Sequence, residues 1–238
     1  MRATTYAYAI GRIRALEPKL VTFDRLERMA DAKTAEDALK VLAETEYGSK
    51  VAELASPYDY ELMLKRELEE VYEFIKTITP DEELTDLFFI KHDVHNIKVL
   101  LKSKYLGTEE PDFLSNMGIL PLDTLREALE SDEDDPYIKL PKYFAQALNE
   151  LDGDEDTGSK VDPQRIDVAL DRAMYNHIFD TSKTKGEDFI EGYFKREVDL
   201  INIRSLLRIK NIGADFEFAR AVFMPYGNIG EDILREAY

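Results

Sequence analysis

The stretch Leu87–Gly107, LFFIKHDVHNIKVLLKSKYLG, returns 106 residues later as Tyr193–Gly213, YFKREVDLINIRSLLRIKNIG. The two agree at eight of twenty-one positions: Phe88/Phe194, Asp93/Asp199, Asn96/Asn202, Ile97/Ile203, Leu100/Leu206, Leu101/Leu207, Lys104/Lys210 and Gly107/Gly213. Lys98/Arg204 and Lys102/Arg208 keep their charge. Repetition at a fixed offset means that one structural unit is used more than once. The periodicity predicts a long helix in each copy. Val94, Ile97 and Leu101 fall on one face with Leu100 beside them, and Leu200, Ile203, Leu207 and Leu206 take the same places in the second copy. Gly107 and Gly213 stand where a left-handed cap ends the helix, with Lys104 and Lys210 favouring the negative end of its dipole.

Asp93 and Asn96, like Asp199 and Asn202, lie one turn apart at the edge of the apolar stripe. A buried carboxylate without a partner costs several kcal/mol, so each needs one. The same offset aligns Arg66 with Arg172 in the preceding helix. The expectation is that Arg66 pairs with Asp93 and Arg172 with Asp199, each pair locking a helical hairpin in register.

The rest of the chain is consistent with an all-α protein. Strong helix formers dominate its 238 residues, and β-branched alternation is almost absent. The length suits one large domain or two ordinary ones. A formal charge of −18 opposes nucleic-acid phosphate and anionic membrane surfaces as partners. It suits a basic protein. Without cysteine there is no disulfide, thiolate metal site or cysteine nucleophile. No run of eighteen apolar residues occurs, and MRATTYAYAIGRIRALEPKL is too soon charged for a signal peptide, so the expected location is cytoplasmic.

In chain order, a first helix is predicted over Thr4–Glu17, stopping before Pro18. A short one follows at Asp24–Ala30, and Thr34–Asp37 has capping-box spacing for a third. Ser56-Pro57-Tyr58-Asp59 opens a helix carrying Leu62, Arg66, Leu68, Val71 and Ile75, and Thr79-Pro80-Asp81-Glu82 opens the long helix of the first copy. These two should be antiparallel, joined by a tight turn. Pro111, Pro121, Pro136 and Pro141 break the connection that follows, with helices at Leu122–Leu129 and Tyr143–Leu151 between them. The polar run Asp152–Lys160 is the best internal boundary. Asp162-Pro163 starts the second copy, Ile166–Phe179 matching Tyr60–Glu73, and Leu234-Arg235-Glu236-Ala237 echoes Leu125-Arg126-Glu127-Ala128 at an offset of 109. The predicted division is N-terminal helices 1–55, a first helical repeat 56–151, an acidic loop 152–161 and a second repeat 162–238 cut at its C-terminus.

Nothing in the sequence points to catalysis. His92 and His95 with Asp93 offer too few ligands for zinc, since no complementary cluster accompanies them. Asp152, Asp154 and Asp156 imitate the start of a calcium loop, but Thr157 replaces the turn glycine and Pro163 the bidentate glutamate. That run, and Asp132–Asp135, read as solvated loops. Neither a phosphate-binding P-loop nor a Gly-x-Ser-x-Gly elbow is present. The expectation is no cofactor and no metal.

Three segments resemble one family. Tyr6–Glu17, YAYAIGRIRALE, is similar to the start of the C subunit of V-type (archaeal/bacterial A/V-type) ATP synthases, whose eukaryotic counterpart is the d subunit of the vacuolar ATPase. FIKHDVHNIKVLL (Phe89–Leu101) and FKREVDLINIRSLLRIK (Phe194–Lys210) resemble that family's two aspartate-x-x-asparagine helices. The likeness implies a funnel of three related helical-hairpin repeats about a pseudo-threefold axis, of which the third is incomplete here. It implies a non-catalytic rotor subunit of a proton- or sodium-translocating ATPase/ATP synthase. Such a subunit joins the shaft of the soluble head to the membrane proteolipid ring, on the cytoplasmic face and with no direct membrane span. Arg66, Asp93, Asn96, Lys98, Arg172, Asp199, Asn202 and Arg204 are the residues of the repeated motif. Members run longer, so the chain is expected to be truncated at its C-terminus. The alternative from the residues alone is a free-standing acidic helical-repeat adaptor for another basic protein.

Overall fold

The computed structural model describes residues 6–108, 113–131, 136–155 and 162–238, and all regular structure among them is helical. The chain divides into two compact units, Met1–Thr85 and Asp86–Tyr238.

The first unit contains α1 (Ala7–Leu16), α2 (Phe23–Ala30), α3 (Ala35–Ala43), α4 (Gly48–Ala52) and α5 (Tyr60–Ile78). Pro18 converts the end of α1 into a 3-10 turn, Glu17–Lys19, close to the predicted stop. Thr34 caps α3 by accepting the Asp37 N–H at 3.1 Å. Ser56 and Asp59 form the predicted start signal as a reciprocal capping box. Lys50 bridges Glu67 and Glu70 of α5, and the Arg12 guanidinium lies 5.6 Å from the centre of the Phe74 ring. Apolar side chains are left exposed along α1 and α5, among them Ile10, Ile13, Leu62, Leu64 and Leu68.

Thr79–Glu82 does not open one long helix as expected. It leads into a single-turn α6 (Glu82–Asp86), capped by Asp81 accepting the Leu84 N–H at 3.2 Å, and the chain turns again before α7 (Ile90–Leu106). The predicted hairpin partners α5 and α7 therefore belong to different compact units.

The second unit holds α7, α8 (Leu122–Glu130), α9 (Lys142–Glu155), α10 (Pro163–Lys185), α11 (Asp188–Ile212), α12 (Phe216–Val222) and α13 (Glu231–Ala237). Gly107, Gly186 and Gly213 end α7, α10 and α11 at φ of 62°, 65° and 72°, where a side chain is strained. α10 packs against α7, α9 and α11. Ile90, Val94, Ile97 and Leu101 of α7 are buried with Leu125, Phe144, Leu148, Ile166, Leu170 and Ile178. A second cluster joins Leu206 and Ile209 of α11 to Ala219, Phe223 and Leu234. Tyr175 of α10 donates to Glu197 of α11 at 2.8 Å, across the two-residue turn that folds these helices into a hairpin.

α9 runs through Glu155, so Asp152, placed by sequence in a loop, is helical and accepts the Tyr137 hydroxyl at 2.6 Å. Residues 156–161 of the predicted acidic loop, and Asp132–Asp135, lie outside the described residues. The apolar stripe of the second copy also differs from expectation. Leu206 is buried and Ile203 partly so, whereas Leu200 and Leu207 are exposed.

Burial decides the expected response to truncation. Leu170→Ala, at a position with 0% exposure, is expected to cost about 2–5 kcal/mol in urea unfolding. Leu200→Ala is expected to stay within about 0.5 kcal/mol.

Candidate functional site

Four of the eight motif residues, Asp93, Asn96, Asp199 and Asn202, build two loop clamps. In the first, α7 presents Asp93 and Asn96, both at 0% exposure, to the segment leading into α8. Asn96 Nδ2 donates to the Ser115 carbonyl at 2.8 Å, and Ser115 N–H donates back to Asn96 Oδ1 at 2.8 Å. Ile119 N–H donates to Asp93 Oδ2 at 3.1 Å and Leu120 N–H to Oδ1 at 3.0 Å. An amide is the side chain that can serve a backbone donor and acceptor together, and a carboxylate the one that accepts twice. The clamped segment starts α8, whose positive end adds to the attraction for the Asp93 charge. Lys104 closes the arrangement by donating to the Leu129 carbonyl in the last turn of α8 at 2.7 Å.

The second clamp has the same parts. Asn202 Nδ2 donates to the Met224 carbonyl at 2.9 Å and its Oδ1 accepts Met224 N–H at 2.8 Å. Asp199 Oδ1 accepts Ile229 N–H at 2.9 Å, while Oδ2 accepts the Asn228 side chain at 2.9 Å. Lys210 donates to the Ala237 carbonyl of α13 at 3.2 Å. Glycine fills the tightest place in both. A β-carbon on Gly118 would lie 2.2 Å from Asp93 Oδ1, and one on Gly227 would lie 2.4 Å from Asp199 Oδ1.

The arginines do other work than expected. Arg172 donates to the Ala221 and Phe223 carbonyls at 2.8 and 3.4 Å, at the C-terminal end of α12. Asp199 is satisfied by Ile229 and Asn228, so the predicted Arg172–Asp199 pair does not form. Arg66, in the first unit, pairs with Glu53 at 3.3 Å, and Asp93, in the second, has its backbone amides. The physical reason is common to both. Amide N–H groups just ahead of a helix, from the backbone and on Asp199 also from the Asn228 side chain, satisfy a carboxylate without a guanidinium having to be desolvated beside it. Lys98 reaches Asp171 of α10 at 2.6 Å, and Lys102 reaches Asp167 at 2.6 Å, whereas Arg204 is exposed. Burial raises the Asp171 carboxyl pKa, with Lys98 opposing it.

Sequence reasoning missed the clamped loops because backbone donors carry no residue signature. The available signals were Gly118 and Gly227, and the second echo at an offset of 109 rather than 106. His92 and His95 also attach to the first loop. His92 Nδ1 is 3.1 Å from Ser115 Oγ and His95 Nε2 is 2.8 Å from the Phe113 carbonyl. Among the described residues no cluster of His, Asp and Glu could hold a metal ion.

Residues 9–238 match the model of the family described as the ATP synthase (C/AC39) subunit. The chain belongs to that family. It is 27% identical to the C subunit of the A-type ATP synthase of Methanocaldococcus jannaschii, over 89% of this chain and 56% of the relative. It is 26% identical to the A-type C subunit of a Desulfurococcus species, over 97% of this chain and 64% of the relative. For the Pyrococcus horikoshii protein of the same name the figures are 26%, 97% and 63%. The chain thus spans about six tenths of the length of these ATP synthase (C/AC39) relatives.

The clamps give two measurable expectations. Asp93→Asn turns an amide N–H toward a backbone N–H and is expected to cost about 2–4 kcal/mol in denaturant unfolding. Gly118→Ala and Gly227→Ala are each expected to cost about 1–3 kcal/mol through the overpacking just described. His92 supplies a pH test. Burial, aided by Lys91 and His95, lowers its pKa to about 4. The unfolded chain therefore binds this proton more readily, so the contribution of neutral His92 is complete above about pH 6.5 and is lost as pH falls toward 4. His92→Gln is expected to flatten the unfolding midpoint between pH 6.5 and 4 relative to the unchanged protein.

Proposed function

We propose that this chain is a non-catalytic central-rotor subunit of a V-type ATPase/ATP synthase that translocates protons or sodium ions. It couples the shaft of the soluble head to the membrane proteolipid ring, from the cytoplasmic face. The observation that carries the reading is the family match over residues 9–238. No described helix is long and apolar enough to cross a membrane, which agrees with a peripheral place on the ring.

The clamps supply what a torque-transmitting part needs. Each ties a long helix to the loop and helix after it through buried hydrogen bonds, so the joints between helices are stiff. The net charge of −18 favours a basic shaft tip. A pseudo-threefold funnel of hairpin repeats, the third incomplete in these residues, is supported by one contact. Phe88 and Phe194 occupy equivalent positions in the two copies, and their ring centres are 5.2 Å apart. Equivalent points that touch lie close to any rotation axis relating the copies. The proposed repeats span 56–151 and 162–238, with the N-terminal helices 1–55 outside them and the residues 152–161 between them.

Mild-detergent pull-down with the tagged chain is expected to retain the shaft subunits and the proteolipid ring, and the purified chain is expected to hydrolyse no ATP. ATP hydrolysis that tracks with the chain through purification would overturn the assignment. Capture of a basic protein without ring or shaft would favour the free-standing adaptor instead.

A further inference from the structure

The two clamps are built alike except where His92, His95 and Ser115 meet. Ser115 is engaged at all three of its polar groups. Asn96 holds its backbone N–H and carbonyl, and its hydroxyl oxygen accepts Met117 N–H at 3.3 Å while lying 3.1 Å from His92 Nδ1. With that oxygen accepting from Met117, the hydroxyl proton points at His92 Nδ1, so the ring accepts there and is neutral. His95, one turn on, donates from Nε2 to the Phe113 carbonyl at 2.8 Å. The second clamp has Val198, Ile201 and Met224 in these three places, at the offsets of 106 and 109. Val198 and Met224 are buried, and Val198 lies against Gly227 of the loop. Two of the chain's three histidines thus fasten one loop, and the equivalent positions at the other hold nothing that titrates.

We propose that the first clamp is an acid-operated latch: protonation of His92 frees the loop 113–120 from α7 while the second loop stays shut. Added at Nδ1, the proton sets donor against donor, or turns the Ser115 hydroxyl away from its acceptor. His95 gives no relief. Its Nε2 bond persists in either state, and its own second proton adds positive charge one turn from His92. The charges on the neighbouring elements are engaged elsewhere. Asp93 of α7 accepts Ile119 and Leu120 N–H, and Asp123 and Arg126 of α8 pair with each other at 3.3 Å. Asp171 and Asp167 of α10 pair with Lys98 and Lys102. Burial, with Lys91 and His95 as the charges that act on the ring, holds the His92 pKa down to about 4. An opened loop exposes the ring and restores its ordinary affinity for a proton, so acid drives the opening. α8 starts where this loop ends, so release loosens the joint between α7 and α8. The latch does not depend on the rotor reading.

Amide hydrogen exchange on the full chain, read at the equivalent pairs Ser115/Met224 and Leu120/Ile229, supplies the test. Each of these amides donates to a clamp side chain. Protection, corrected for the intrinsic pH dependence of exchange, is expected to fall about twentyfold at Ser115 and Leu120 between pH 7 and 5. At Met224 and Ile229 it is expected to change by less than about twofold. The second loop is the control, because a titration common to the clamps acts on both. A variant combining His92→Val, His95→Ile and Ser115→Met, the residues of the second copy, is expected to lose the pH dependence of the first loop. If that variant folds poorly, the unchanged chain still decides, since its His92 ring resonance must titrate near pH 4. A midpoint at the ordinary 6.5 leaves the opening with no proton to drive it and overturns the proposal. Equal loss of protection at both loops, protection at Ser115 indifferent to pH, or a pH dependence that survives in a folded variant also overturns it.

Discussion

A negative charge held out of water has few places to go, and the second unit is arranged around two of them. Asp93 and Asp199 accept backbone or amide N–H groups from the loops that follow their helices. Once those carboxylates are fixed, the loops must pass over α7 and α11 at one height and in one register. α8 and α13 then start where the amide groups point. Leu125 and Leu234, near the middle of those short helices, enter the core as a result. Asn96 and Asn202 hold the near end of each loop, so slippage along the helix would break donors and acceptors together.

The helices were legible in the sequence because their information is local. Gly107 and Gly213, the Ser56–Asp59 start signal and the period of α7 each act within one or two turns, and each appears as read. The equivalence of Asp93 with Asp199 and of Asn96 with Asn202 was legible too, through the offset. The partners were not. An aspartate next to an apolar stripe suggests a cation, and Arg66 and Arg172 stood at a matching spacing, but the acceptor sites are filled by peptide N–H groups that every residue owns and, on Asp199, by the Asn228 side-chain amide as well. The helical extension of α9 to Glu155 was hidden for a different reason, since its acids and glycine have loop propensity and Tyr137 holds Asp152 from a distance.

The two copies differ on the sides turned away from the clamps. Lys98 and Lys102 are half-buried ion-pair partners, whereas Arg204 and Arg208 are exposed. Clamp chemistry is kept because it is satisfied within each copy. The outer faces follow whatever neighbour each copy meets, and their apolar pattern alone did not reveal which was covered.

The short reach of the clamp bonds has a consequence for how the chain is made. Asn96 and Ser115 are 19 residues apart and Asp93 and Leu120 are 27 apart, while the second clamp spans 22 to 30. Closing loops of that size costs little entropy, and contacts so near in sequence form early. The first clamp can thus snap shut while the second is still being translated. Each copy carries its own nucleus for folding, so a gene could gain another by duplication without waiting for a new core to be invented.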